Sequence, residues 1–304
     1  MLGWKGTLYN THIAHLLPLK TAYKIRYHHL NKRWPDLDDP KRFTEKLMWL
    51  TRYNELYNRE FIQRIYDKHL VRDYVRECGL ENILTNELFN CKDAKDMVLP
   101  KDGVEYIIKS TQSSGQNIIV SKETNRSEDE IRDIVKGWGE SQKDRDRFQG
   151  YYFTENESIM CEELLRNERG VIPNDYRLCC CNGKVQWIYI DIDTTDENMK
   201  HRKVYYREYF DKDWNYLPID NIGRIRKNKT KAETEKPANL EEMIKIAESL
   251  AANLLFARVD LYNINGKIYF GEITPIPGMA GGFQPDEWDF IFGDKVVLPE
   301  VDIW

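Results

Sequence analysis

Two periods alternate along this chain, and they come in blocks. The helical period comes first. Residues 41–58 place Phe43, Leu47, Trp49 and Leu50 at helical spacing, which predicts a helix there. Ile65, Leu70, Val71, Tyr74, Val75 and Cys78 repeat that spacing, and Gly79 suits the left-handed residue closing a helix, so a second helix is predicted over 61–78. The period then falls to two. Strands are predicted over 104–109 and 117–120 around a Ser/Gly loop, and over 158–165. A hairpin is predicted over 176–192 turning at Asn182-Gly183, and a further strand over 202–210. Ser127 and Glu130 form a capping box for a helix reaching about Gly139. Residues 221–237 are basic, polar and weakly patterned, and read as a mobile loop. Asn239 and Glu242 resemble a capping box ahead of an apolar face made by Met243, Ile246, Ala247, Leu250, Ala251 and Leu254. A last short helix is predicted over 285–292. This order is α+β rather than a regularly alternating parallel sheet.

The final strand pair carries the most specific pattern. Two β-rich runs flank Asn265-Gly266, a two-residue hairpin signal. Both carry acids, and a buried carboxylate is costly unless paired or bound to a metal. Arg258 and Asp260, two apart, project from one face. Asp260, Glu272 and the Thr274 hydroxyl are hard oxygen donors of the kind Mg²⁺ takes beside substrate phosphates. A register condition follows. A two-residue loop sets Ile264 against Lys267 and, in an unbroken ladder, Asp260 against Gly271, leaving Glu272 on the opposite face. A shared metal needs Asp260 opposite Glu272, so a bulge or a three-residue loop is predicted. Without that irregularity the element is an edge hairpin with solvated acids.

A second candidate site runs from Lys109 through Ser114, Gly115 and Asn117. A lysine ends an apolar strand and a small-residue loop follows, whose N–H groups can cradle phosphate oxygens; an ordinary turn beside a surface lysine has the same look. Glu162 and Glu163 end the strand over 158–165. Arg177, in Asp175-Tyr176-Arg177, suits bidentate contact with a phosphoryl group, or a surface pair with Asp175. His201-Arg202-Lys203 is a positive cluster fit for an anionic substrate, or a solvated strand start.

Composition narrows the class. The 304 residues suffice for one large domain or two small ones, and 31% charged residues with net charge −5 read as a soluble, cytoplasmic body. No apolar run is long enough to cross a membrane, and no signal-peptide core opens the chain. The six cysteines, three of them consecutive at Cys179-Cys180-Cys181, suit neither a zinc site nor a disulfide framework and read as reduced thiols. Residues 1–35 carry +6 with no acid, against −11 in the remainder. Basic residues interleaved with Trp4, Tyr9, Tyr23, Tyr27 and Trp34 fit peripheral contact with a membrane's inner face or an anionic polymer. A helical extension packed on the body fits too, and Pro18 interrupting the pattern favours it. The acidic body argues against nucleic-acid binding. No Walker loop, Gly-x-Gly-x-x-Gly, His-Glu-x-x-His or Gly-x-Ser-x-Gly occurs.

Together these residues resemble the TupA-like branch of the ATP-grasp superfamily. The resemblance spans about Asp39 to Pro299. It rests on Phe43-Thr44-Glu45-Lys46-Leu47 with Trp49-Leu50, on Asp67-Lys68, Lys109, Asp175-Tyr176, Asn182-Gly183, His201 and Asp213-Trp214, and on Arg258-Val259-Asp260-Leu261-Tyr262 with Gly271-Glu272-Ile273-Thr274. It implies two α+β lobes whose antiparallel sheets hold a nucleotide between them. The division it suggests is a helical region over 1–66, an N-lobe over 67–160 and a C-lobe over 161–304. It implies ATP and Mg²⁺ as cofactors and, as activity, ATP-dependent joining of a carboxylate to an amine through an acyl phosphate. The implied reactants are a sugar-acid acceptor of a bacterial capsule or surface polysaccharide and a small amine donor. By resemblance Lys68 and Lys109 hold phosphates, Glu162 and Glu163 mark the hinge at the adenine, and Arg258 and the Gly278 backbone meet the oxyanion. The same resemblance has Asp260, Glu272 and Thr274 hold metal. A sugar kinase or a non-catalytic nucleotide-binding module on the same scaffold are the alternatives. One departure stands out. Where the family's loop usually reads Lys-x-x-His-Gly-Ser-Gly-Gly-Asn, this chain has Gln112 at the His, Ser113 at the first Gly and Gln116 at the last.

Overall fold

The structure, a computed structural model, describes residues 8–10, 12–101, 103–124, 126–140, 146–196, 199–221, 224–226, 231–279, 283–284 and 286–304. Helices α1 (Leu19–Asn31), α2 (Phe43–Tyr57), α3 (Arg59–Tyr66) and α4 (Val71–Glu77) come first. Strands β1 (Glu87–Cys91), β2 (Tyr106–Ser110), β3 (Asn117–Val120), helix α5 (Glu128–Lys136) and β4 (Ile159–Glu163) follow. Then come β5 (Asp175–Cys181), β6 (Lys184–Ile192), β7 (Tyr206–Asp211), β8 (Tyr216–Leu217) and β9 (Asp220–Asn221). The chain ends with α6 (Leu240–Ala251), β10 (Phe256–Ile264), β11 (Lys267–Thr274), β12 (Phe283–Gln284) and α7 (Glu287–Gly293). None of the described helices is long and apolar enough to cross a membrane.

Two antiparallel sheets organise these elements. The smaller has the order β1-β4-β2-β3 and the larger β11-β10-β5-β6-β7-β8. Alternation in the small sheet buries Tyr106, Ile108, Ile118 and Cys161 against Ile131 and Val135 of α5, which leaves Ile107, Lys109 and Glu162 for the other face. The large sheet packs its Val259–Leu261 face with Met243, Ile246, Ala247 and Leu250 of α6 in the main core. Burial of this kind is worth about 25 cal/mol per Å² of apolar surface and dominates the stability of the fold.

The Phe43-Thr44-Glu45-Lys46 motif is a docking device. Phe43 packs edge-on against Trp187 and Phe256. The Asp289 carboxylate accepts from the Thr44 N–H and hydroxyl, at 2.9 and 2.7 Å, so α7 caps the start of α2. The buried Glu45 carboxylate accepts the Lys41 and Arg42 N–H groups, and Lys46 Nζ donates to the carbonyls of Gly293 and Val296. Helix α1 buries Ala22, Tyr23 and Tyr27 against Phe148. Its cations meet acids of the same chain: Lys20 and Lys24 at Asp38, Arg26 at Asp146, Arg33 at Asp286 and Asp289. A packed extension is what residues 8–35 form where they are described, while Trp34 stays exposed and stacks on His28.

Several elements differ from the pattern-based expectation. The helix predicted over 61–78 is broken: Asp67 adopts extended backbone, and its Oδ1 accepts the N–H groups of His69 and Leu70, closing α3 and starting a new turn. Asn239 is no cap. Its side chain instead donates to the Gly266 carbonyl and accepts from Asn263, tying α6 to the β10–β11 turn. The strand predicted over 202–210 begins at Tyr206, with His201 in an isolated bridge to Thr195. Much of 221–237 lies outside the described residues; within it Ile225 bridges Tyr206. The small sheet runs through Glu163, so β4 lies across the 160/161 boundary.

Candidate nucleotide and metal site

The β10–β11 register meets the condition set by the sequence. Ile264 faces Lys267, so the loop has two residues, and the ladder then slips: Leu261 faces Phe270 while Asp260 faces Glu272. Gly271 is the extra residue of the bulge. A Cβ there would lie 2.9 Å from the Asp260 carbonyl oxygen, so the strands come together only over glycine. The bulge puts Arg258, Asp260, Glu272 and Thr274 on one face. Arg258 Nη2 donates to Asp260 Oδ2 at 2.7 Å, to Glu272 Oε1, and to Thr274 Oγ1 at 3.0 Å, while its Nε donates to Asp260 Oδ1 at 2.6 Å.

This arrangement tests the fit of a metal. Three oxygens from three residues converge on a single cationic nitrogen. The donors are two carboxylates and a hydroxyl, the hard and sparse set that Mg²⁺ completes with water and phosphate oxygens. Among the described residues no group of three or more His, Cys, Asp or Glu is placed to hold a metal ion; the donors offered here are two carboxylates and a hydroxyl, without the Cys or His that zinc sites use. The donor chemistry of Asp260, Glu272 and Thr274 suits the ion, and Arg258 Nη2 stands at the point on which those oxygens converge.

Charge around these acids is finely opposed. Burial pushes the Asp260 carboxyl up to about 7; Arg258 and Arg177 pull against that and Glu272 adds to it. Burial also works against Glu272, but Arg258, Lys68 and Arg177 outweigh it and hold that carboxyl at about 2. Since the folded pKa of Asp260 lies above its ordinary 3.8, the folded chain holds this proton between about pH 4 and 7 and the unfolded chain does not. Its contribution to stability is therefore present at low pH and lost as pH rises through 7. Metal binding needs the carboxylate. Mg²⁺ affinity is expected to be about tenfold tighter at pH 8 than at pH 6, and Asp260→Asn should flatten that slope in a Mg²⁺ titration followed by intrinsic fluorescence.

A cleft of about 270 Å³ separates the two sheets at this point. Asp175, Arg177, Asp260, Gly271 and Glu272 form its floor. Lys68, Lys109, Ser114, Gly115 and Asn117 stand opposite, with Glu162 and Glu163 at the side. Expected nucleotide and metal residues from five separate stretches thus share one cavity. Ile107, Ile119, Met160, Leu164, Leu165, Ile172 and Pro173 give it an apolar end that the sequence reading did not name. A signal for three of them exists: Ile107, Ile119 and Met160 each sit two residues from Lys109, Asn117 or Glu162 on the same strand, and so on the same face.

Lys109 pairs with Glu162 Oε1, whose other oxygen accepts from Thr85 at 2.6 Å. Burial would raise the Glu162 carboxyl, but Lys109, Thr85 and Arg72 together hold it below its usual range. Lys68 Nζ donates to the Ser113 carbonyl at 2.7 Å, and its N–H to the Thr111 carbonyl at 3.0 Å, so the α3–α4 break and the loop are tied together. Gln112, at the family's His position, is buried. Its amide donates to Asp67 and Thr154 and accepts the Thr154 N–H. It anchors the loop from behind and does not line the cleft. Gly115 has φ +85 and open space around it, which explains why glycine persists there.

Arg177 lies 3.4 Å from Asp260 Oδ2, 3.3 Å from Asp175 Oδ2 and 3.0 Å from Asp191 Oδ2. Gly278 sits at φ +57 in the turn after β11, beyond the cleft's lining. His201, Arg202 and Lys203 are not brought to this cleft. Arg202 donates to the Thr195 carbonyl and lines a separate cavity of about 1160 Å³ that meets the cleft at Ile172. His201 packs edge-on against Tyr205, and Lys203 is exposed.

Comparison with known proteins follows the same lines. The curated D-alanine–D-alanine ligase of Helicobacter acinonychis (strain Sheeba) is 24% identical over 231 residues, 73% of this chain; the chain spans about half, 55%, of that relative's length. Among solved structures, D-alanine–D-alanine ligase from Helicobacter pylori aligns at TM-score 0.45 and 14% identity, covering 79% of this chain and 60% of that one. The Bacillus anthracis D-alanine–D-alanine ligase complexed with ATP aligns at TM-score 0.41 and 16% identity, covering 71% and 56%. The family described as TupA-like ATPgrasp matches residues 45–297, most of the chain and every part of the cleft, and the chain belongs to that family.

Proposed function

We propose that the protein is an ATP-dependent, ADP-forming carboxylate–amine ligase. In this reading it forms an amide on a sugar acid of a bacterial capsule or surface polysaccharide, with a small amine donor, at the cytoplasmic side of the membrane. The observation that carries the reading is the convergence of Asp260, Glu272, Thr274 and Arg258 on one bulged hairpin face, opposite Lys68 and Lys109. Membership of the ATP-grasp family supports it, as does the curated relative named for joining one D-alanine to another.

The chemistry asks for placement and charge and no nucleophilic side chain. A carboxylate oxygen of the acceptor attacks the γ-phosphorus of ATP, the bond to the β–γ bridging oxygen breaks, and an acyl phosphate and ADP result. The amine nitrogen then attacks the acyl carbon, loses a proton, and expels inorganic phosphate. Asp260, Glu272 and Thr274 would hold Mg²⁺, which would supply charge neutralisation on the phosphates. Lys68, Lys109 and the Ser114, Gly115 and Asn117 loop hold the phosphate chain, and Glu162 and Glu163 border the base at the apolar end. Arg177 meets the transferring group. Arg258, once off the acids, and the Gly278 N–H stabilise the oxyanion. Arg202, which lines the neighbouring cavity, and His201 and Lys203 beside it in sequence are assigned to the anionic acceptor.

The test is nucleotide product analysis with Mg-ATP, a panel of uronic acids and a panel of amines. ADP and phosphate formed only when acid and amine are both present is the expected result. ADP formed without an amine, with the phosphate retained on the sugar, would make the protein a kinase and overturn the reading.

A further inference from the structure

A second layer of charge lies behind the cleft. Register places Glu272, Asp260, Arg177, Tyr189 and Tyr209 opposite one another across β11, β10, β5, β6 and β7. The row two residues away is Asp175, Asp191 and Arg207. Residues directly opposite, and residues two apart, share a sheet face, so the two rows form one surface. Tyr189, Tyr209, Asp191 and Arg207 are the part of it that does not line the cleft, and Asp191 and Arg207 are buried, at 0% and 9% exposure.

The Asp191 carboxylate is fully engaged. Oδ1 accepts from Arg207 Nε at 2.5 Å and Oδ2 from Arg207 Nη2 at 2.8 Å, a two-bond fork that fixes the carboxylate plane. The Tyr189 ring lies 4.2 Å from the Arg207 guanidinium and holds the fork from one side. Oδ2 also lies 3.0 Å from Arg177 Nη1. With Nη1 on Asp191 and Nη2 at Asp175, the remaining edge of Arg177 is directed at Asp260, where Nε finds no hydrogen-bond acceptor.

We infer that Asp191 is a positioning residue of the nucleotide site: clamped by Arg207, it aims Arg177 at the place of the terminal phosphate beside Asp260. This rests on reading the cleft as an ATP site. The arginine spends its binding strength on the phosphate because its orientation is set in advance by groups that the ligand never touches.

The experiment measures binding of Mg-AMPPNP and Mg-ADP to the full chain by calorimetry, for the unsubstituted protein, Asp191→Asn, Arg177→Ala and the double variant. Asp191→Asn is expected to weaken Mg-AMPPNP about tenfold, the scale of one charge-assisted hydrogen bond, and Mg-ADP by less than about twofold. The double variant should bind no more weakly than Arg177→Ala alone, because Asp191 acts through Arg177. Equal weakening of both nucleotides, additive losses in the double variant, or unchanged binding by Asp191→Asn would each overturn the inference. Where Asp191→Asn does not fold, Asp191→Asn with Arg207→Gln removes one charge of each sign from the interior and carries the same expectation. Failure of the unsubstituted chain to bind either nucleotide would overturn the ATP-site reading itself, and is seen before any variant is made.

Discussion

Asp260→Asn combined with Glu272→Gln is expected to lower Mg-dependent ADP formation by at least about a thousandfold. The two carboxylates are the only anionic members of the oxygen set that converges around Arg258 Nη2. An amide keeps the shape and an acceptor oxygen but gives up the charge that holds a divalent cation. Loss of several kcal/mol of charge stabilisation at the transferring phosphate corresponds, at about 1.4 kcal/mol per decade, to three orders of magnitude. The substitutions also strip both acid partners from Arg258 and one of three from Arg177, which are themselves largely buried. Breaking a buried pair from one side costs about 3–5 kcal/mol, so the double variant will melt earlier. Glu272→Gln alone separates the two effects, because its side chain is 44% exposed and solvent softens its loss. It should lower the melting temperature by less than the double variant does, while activity falls. Full Mg-dependent turnover in a folded double variant would remove the metal assignment.

How much of this site the sequence disclosed follows from physical range. The hairpin was legible because its constraints are local: a two-residue turn, a period of two and a pair of acids leave one register in which a metal can be shared. The strand–loop–strand unit from Lys109 to Asn117 was legible for the same reason, since those two residues face one another across the loop. The apolar end of the cleft could have been read by carrying the alternation two residues back from Lys109, Asn117 and Glu162. Other features depend on distant partners. Asp67 fell inside a predicted helix; its carboxylate takes the N–H groups two and three residues on, and nothing local tells that it is held for that by Gln112 from another element. Asn239 had the spacing of a cap, but the β10–β11 turn offered its amide better partners. Asp191 and Arg207 fell inside predicted strands with nothing to mark them, and only the pairing of β5, β6 and β7 turns them into a buried fork. Gln112 was legible as a departure from the family's loop, and its compensating bonds to Asp67 and Thr154 were not.

Gly271→Ala is expected to reduce Mg-dependent ADP formation about a hundredfold, the cost of displacing a catalytic group by an ångström or so. The added Cβ would meet the Asp260 carbonyl oxygen at 2.9 Å and the Asp260 Cβ at 3.4 Å, and backbone on a central strand cannot give way as a flexible side chain would. Either the strands part locally or the ladder returns to the unbroken register. The second outcome sets Asp260 against residue 271 and sends the Glu272 carboxylate to the opposite face, away from Asp260 and Thr274. Overpacking of this kind costs about 1–3 kcal/mol, which for a chain of this size lowers Tm by only about 2–10 °C, so the protein should remain folded while the site comes apart. Gly266→Ala is the control. Gly266 has φ +83 with nothing within 4 Å, so alanine there pays the left-handed backbone strain of about 1–2 kcal/mol and touches no site residue. Similar Tm losses with activity lost only in Gly271→Ala would tie function to the bulge; normal activity in a folded Gly271→Ala would show that Asp260 and Glu272 need not share a face.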